Sequence, residues 1–160
     1  MSFKKCGMKV YRMEENNMPE KKKAKVYRKA NTNRTINQMV LFPCSPLELY
    51  NMLMNSEQQS EFTGSEAKIS SRETGKFTAY DGWIEGKNIE LVPGKKIVQN
   101  WRGADWPKGH YSIVTFEIFP QKNGSKLIFT QKEVPKQFES EIAKGWKDHY
   151  WDKMRAMMEK

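Results

Sequence analysis

From Phe138 to Met158 a large apolar side chain recurs at every fourth position: Phe138, Ile142, Trp146, Tyr150, Met154 and Met158, with Trp151 and Met157 beside them. Apolar residues at that interval fall on one side of an α-helix, so the spacing predicts a helix about 30 Å long with one face made for burial. Glu139 and Glu141 near its start, and Lys153, Arg155 and Lys160 near its end, complement the helix dipole. Thr35 to Cys44 has another pattern, dense in Ile, Val, Leu and Phe and stopped by Pro43 and Pro46, which predicts a strand. Ser45-Pro46-Leu47-Glu48 then reads as a helix start: Ser as N-cap, Pro at the first helical position, Glu closing a capping box. That helix runs to about Met54. Ser56 to Gln59 repeats the capping logic with Ser56 as the cap, and Gly64 ends the second short helix.

Between Gly64 and Phe138 the chain is punctuated by Gly75, Asp81-Gly82, Gly86, Pro93-Gly94, Gly103, Gly109 and Asn123-Gly124, with apolar runs of strand length between them. Val114, Phe116 and Ile118 alternate with Ile113, Thr115 and Glu117, and Asn123-Gly124 is a strong hairpin signal. Strands are expected over 67–70, 76–80, 83–92, 96–102, 110–119 and 125–132. The resulting order is β-α-α-β-β-β-β-β-β-α, an α+β domain in which a curved antiparallel sheet wraps around the long C-terminal helix and buries the apolar face of each.

Charge changes the picture of the first segment. The net charge of +9 is concentrated in residues 1–34, where eleven Lys or Arg stand against three Glu for a net of +8, whereas residues 35–160 carry seventeen against sixteen for a net of +1. With no sustained apolar period before Asn33, a basic, flexible N-terminal arm is expected over 1–33, ahead of a domain over 34–160; a short edge strand near Lys25 to Arg28 is the alternative for part of it. A nearly neutral domain lacks the basic face that tracks phosphates, so no nucleic-acid binding by the folded part is expected. The longest apolar run is Met39 to Phe42, and the mean hydropathy is −0.84, so neither a membrane span nor a signal peptide is read. Cys6 and Cys44 suggest no disulfide framework and a reducing, cytoplasmic setting. His110 and His149 have no His or Cys at ligand spacing, and no phosphate loop or nucleophile elbow is present; no metal, cofactor or catalytic set is expected.

Several stretches together resemble a known family. Ile97-Val98-Gln99-Asn100-Trp101-Arg102, Asp105 to Ser112, Gln131-Lys132-Glu133-Val134-Pro135, Gly145-Trp146 and Tyr150-Trp151 are similar to the carboxy-terminal domain of the activator of heat-shock protein 90 ATPase. The resemblance covers roughly residues 35–158. It implies the helix-grip, START-like fold and a non-enzymatic co-chaperone that binds heat-shock protein 90 and stimulates its ATPase. The full-length activator also carries an amino-terminal domain, which residues 1–34 are too few to supply, so a weaker or auxiliary role is expected of this chain.

Two candidate sites follow. Trp106 lies between Gly103 and Gly109 with Arg102, Asp105, Lys108 and His110 around it, a set suited to a partner-binding loop with Trp106 as its anchor; Trp-Pro capping the open end of the sheet is the alternative. Relatives with the helix-grip fold often hold an apolar molecule between sheet and helix, and the expected walls of such a cavity are Phe77, Trp83, Tyr111, Phe129, Trp146 and Tyr150. Trp101, Trp146 and Trp151 are read as core in either case.

Overall fold

Strand β1 (Arg34–Phe42) buries Ile36, Val40 and Phe42 and turns Thr35, Asn37, Met39 and Leu41 outward, the alternation of a strand with one covered face. The computed structural model describes residues 32–159, so the arm expected over 1–33, with its alternative edge strand, lies outside the described residues apart from its last two positions. After β1 come α1 (Pro46–Met54) and α2 (Ser56–Thr63), then six strands: β2 (Lys68–Ile69), β3 (Lys76–Ala79), β4 (Ile84–Val92), β5 (Lys96–Gly103), β6 (Ser112–Gln121) and β7 (Gly124–Val134). All seven strands form one antiparallel sheet in the order β1-β7-β6-β5-β4-β3-β2. The fold is the α+β helix-grip arrangement.

The capping box at Ser45 forms as expected: Ser45 Oγ accepts from Glu48 N and Glu48 Oε1 accepts from Ser45 N. The second cap sits one residue earlier than the sequence pattern suggests. Asn55 ends α1 and starts α2, its side chain accepting from Gln58 N, while Ser56 Oγ accepts from Ile69 N and ties down β2. With its hydroxyl engaged by the neighbouring strand, Ser56 is not available to cap. Gly64 closes α2 in the left-handed conformation, φ 77°.

The terminal helix begins with a 3₁₀ turn, Lys136–Phe138, and continues as α3 (Glu139–Gly145), a π-helical stretch (Trp146–Trp151) and α4 (Asp152–Met158). A strict four-residue spacing drifts by about 40° per step around an ordinary α-helix. The wider π turn reverses that drift, so Ile142, Trp146, Tyr150 and Met154 all stay on the buried side. They pack against the inner sheet face, where Ile97, Val114, Phe116, Leu127 and Phe129 are each at most 3 % exposed. Phe129 and Trp146 are central, with ring centroids 4.6 Å apart.

Candidate functional site

A groove of about 430 Å³ opens between the β3–β5 end of the sheet and the terminal helix. Tyr80, Trp83, Ile84 and Trp101 form its sheet side; Glu141, Ile142, Gly145, Trp146, His149 and Tyr150 form its helix side. The β3–β4 turn that carries Tyr80 and Trp83 is held in an uncommon shape. Tyr80 and Asp81 both adopt left-handed backbone, φ 51° and 57°, a conformation that disfavours side chains as large as tyrosine. Clamps fix it: Asp81 Oδ1 accepts from Glu66 N at 2.8 Å, Asp81 N donates to Glu66 O at 3.0 Å, and Trp83 N donates to Tyr80 O at 3.0 Å. Burial raises the Tyr80 hydroxyl to about 12 and pushes Tyr150 higher still, so both are neutral hydroxyls at physiological pH. The Tyr150 hydroxyl donates to Gln59 Oε1 at 3.3 Å.

The innermost wall, Trp146, is oriented by a buried relay. Its indole N–H donates to Gln131 Oε1 at 2.8 Å, Gln131 Nε2 donates to Ser112 Oγ at 2.9 Å, and Ser112 Oγ donates to the Trp101 carbonyl at 2.9 Å. Gln131 and Ser112 are both fully buried. Each polar atom named is satisfied, so the relay fixes one ring orientation rather than leaving an uncompensated charge or dipole. Next along the helix, Trp151 donates to Gln38 Oε1 at 2.7 Å and Gln38 Nε2 donates to the Ala143 carbonyl at 3.0 Å, which binds the helix to β1 at the onset of its widened turn.

The loop after β5 is built differently from the sequence expectation. Trp106, expected either as a partner-binding anchor or as a cap on the open end of the sheet, is only 4 % exposed; it is stacked on Phe138 and packs on Trp101, with centroids at 6.1 and 5.3 Å. Gly103 permits this, because a Cβ there would stand 2.7 Å from the Trp83 ring and 3.1 Å from Trp106 Nε1. Arg102 also serves to hold the loop, since Nη2 donates to the carbonyls of Trp106 at 2.6 Å and Pro107 at 3.2 Å, and Nη1 pairs with Glu85 at 3.6 Å. His110 Nε2 lies 2.7 Å from the Glu133 carbonyl. Asp105 and Lys108 remain as the exposed charges of the set. The capping alternative for Trp-Pro therefore describes the tryptophan's position, while the loop presents its two charges outward.

The matching family model is described as activator of Hsp90 ATPase homolog 1-like protein, and it aligns with residues 43–159, from the end of β1 through the terminal helix. The chain belongs to this family. It is 32 % identical over 111 residues to the human activator of 90 kDa heat shock protein ATPase homolog 1, covering 69 % of this chain and 33 % of the relative. It is 34 % identical over 125 residues to the corresponding homolog of Dictyostelium discoideum, covering 78 % of this chain and 33 % of the relative. The chain thus spans about a third of the length of the relatives it matches. Among solved structures, an Hsp90 activator from Plasmodium falciparum superposes with a TM-score of 0.73 at 23 % identity, over 78 % of this chain and 95 % of that one. The Aha1 dimer of Colwellia psychrerythraea gives 0.62 at 16 %, over 71 % and 87 %; both likenesses concern the fold.

Within this member of the Hsp90 activator family, the six residues expected around a cavity separate into distinct groups. Trp83, Trp146 and Tyr150 line the groove. Phe77 lies below it, over Gly86, and borders with Trp146 and Tyr150 a small internal cavity of about 20 Å³. Phe129 is sealed in the core at 0 % exposure. Tyr111 is a correction: it stands 37 % exposed beside Arg102, its hydroxyl donating to Glu85 Oε1 at 3.2 Å, because that carboxylate draws it away from the interior. Sequence reasoning missed Tyr80, Glu141, Gly145 and His149. Glu141, Gly145 and His149 recur at four-residue intervals along the helix, a spacing legible beforehand, whereas nothing one-dimensional marks Tyr80. Among the described residues no cluster of His, Cys, Asp and Glu is arranged to hold a metal ion, and no helix is long and apolar enough to cross a membrane.

Proposed function

We propose that this domain binds heat-shock protein 90 and stimulates its ATPase as a non-catalytic co-chaperone, working in the cytoplasm with that partner. The observation that carries the reading is the alignment of the family model with residues 43–159. The proposed contact is the loop from Arg102 to His110. Asp105 and Lys108 meet the chaperone, while Arg102, Trp106 and His110 hold the loop in one shape, which lowers the entropy lost on association. The net charge of +8 on residues 1–34 steers the approach to an acidic surface, an effect screened beyond about 8–10 Å at physiological salt. The test is chaperone ATPase rate and binding kinetics with chaperone from the same organism. Charge reversal at Asp105 and Lys108 is expected to weaken binding, chiefly through the association rate, and removal of residues 1–30 to slow association most at low salt. No binding by the intact chain at low salt would overturn the reading.

A second reading, a module that holds a small apolar molecule, is favoured by one observation: the groove of about 430 Å³ is walled by aromatic side chains at the place where sheet and helix part.

A further inference from the structure

Three local features converge on the groove, and two of them run against the most stable choice for the chain. Gly145 sits inside the terminal helix, where glycine is less favourable than alanine. Packing does not require it, since a Cβ there would meet only His149 Cδ2, at an ordinary 3.8 Å. It does line the groove, so a longer side chain at this position would take up the open volume. The turn carrying Tyr80 and Trp83 keeps two non-glycine residues in left-handed backbone, φ 51° and 57°. The helix opposite widens into a π turn from Trp146 to Trp151, a device found often at functional sites. The π turn also serves the core by keeping the four-residue stripe buried, but a closed core would need neither the glycine nor the left-handed turn.

The lining gives the chemistry of the occupant. Five aromatic rings, those of Tyr80, Trp83, Trp101, Trp146 and Tyr150, share the walls with one carboxylate, Glu141, which is exposed and therefore stands at the mouth. Among the described residues no Lys or Arg lines the groove. Rings present a negative face to a cation, and a carboxylate beside them adds to the attraction, whereas an anion finds no lysine or arginine there and only the imidazole of His149 among the lining residues. A strongly hydrated ion would not leave water for such walls, but an ammonium carried on an apolar body loses little hydration and gains contact area.

We propose that the groove is a binding site for a lipophilic organic cation, an alkylated or aromatic ammonium compound, held by its rings and by Glu141. This rests on the second reading above, that the groove admits a small molecule. The test uses the full chain and three probes of similar size: naphthylmethyl-trimethylammonium, naphthylmethanol and naphthylacetate. Binding is followed by isothermal titration and by the indole N–H resonances of Trp83, Trp101 and Trp146. The cation is expected to bind about tenfold more tightly than the neutral alcohol, and the anion more weakly than either. Gly145→Leu should abolish binding of the cation while the indole resonances stay dispersed; should that variant not fold, Gly145→Ala should fold and bind more weakly. Glu141→Gln should reduce the preference for the cation and leave the alcohol unchanged. Equal affinity for cation and alcohol would overturn the proposed class while leaving the small-molecule reading intact. Binding that Gly145→Leu leaves untouched would move the site elsewhere and overturn both, as would the absence of any response to all three probes.

Discussion

At Trp146 the core and the groove share one side chain. The ring packs on Phe129, Tyr150 and Trp151 with centroids 4.6, 4.5 and 5.4 Å away, and its N–H is fixed by Gln131. Trp146→Ala is expected to cost about 3–5 kcal/mol in denaturant unfolding, as truncation of a buried large aromatic does. Gln131→Leu tests the relay separately, since it strands the buried Trp146 N–H and removes the bond that Ser112 Oγ accepts while its bond to the Trp101 carbonyl remains, and a loss of about 1–3 kcal/mol is expected. Sequence showed that Trp101, Trp146 and Trp151 are core, because burial is the usual fate of tryptophan in strands and on an apolar helix face. It left Trp106 open between partner anchor and cap for an equally physical reason. Whether a loop aromatic faces in or out is decided by a neighbour that lets the ring fold back, here the bare Cα of Gly103, and that contact joins positions only the three-dimensional turn brings together.

Among the elements, the capping box at the start of α1 has a pH signature. The Ser45 backbone N–H, and then its hydroxyl, hold the Glu48 carboxyl below the usual carboxylate range. A depressed folded value means that the stabilisation is complete above the ordinary glutamate range and is lost as pH falls through the lowered one. Glu48→Gln is therefore expected to be less stable than the parent chain at neutral pH and to converge with it in strong acid, as thermal melts across pH will show. The order of elements was legible because hydrophobic period and turn chemistry are local: Ser45-Pro46, Gly64 and Asn123-Gly124 each mark a boundary the structure keeps. The π turn was present in the four-residue spacing but masked by the assumption of a uniform helix. The displaced cap at Asn55 was not legible, since it depends on Ser56 being engaged by Ile69 across the fold.

For the whole molecule, we propose that residues 34–160 fold as one cooperative unit, so that removing residues 1–30 leaves a single thermal transition; a loss of that transition would count against the boundary. The groove was only partly legible at this scale. Its walls come from the β3–β4 turn, β5 and the terminal helix, and the same residue types in a sequence serve equally as core. The strand order has a further consequence for synthesis. The first strand lies beside the last, with Asn33 Nδ2 donating to Glu133 Oε1 across 100 residues and Trp151 Nε1 donating to Gln38 Oε1 across 113. On a ribosome adding about 5–20 residues per second, β1 emerges many seconds before its partners exist. Its apolar side chains stay uncovered until the C-terminal helix clears the exit tunnel, so the domain closes only once that helix is made, and a chain stalled before it is left with an exposed apolar sheet face.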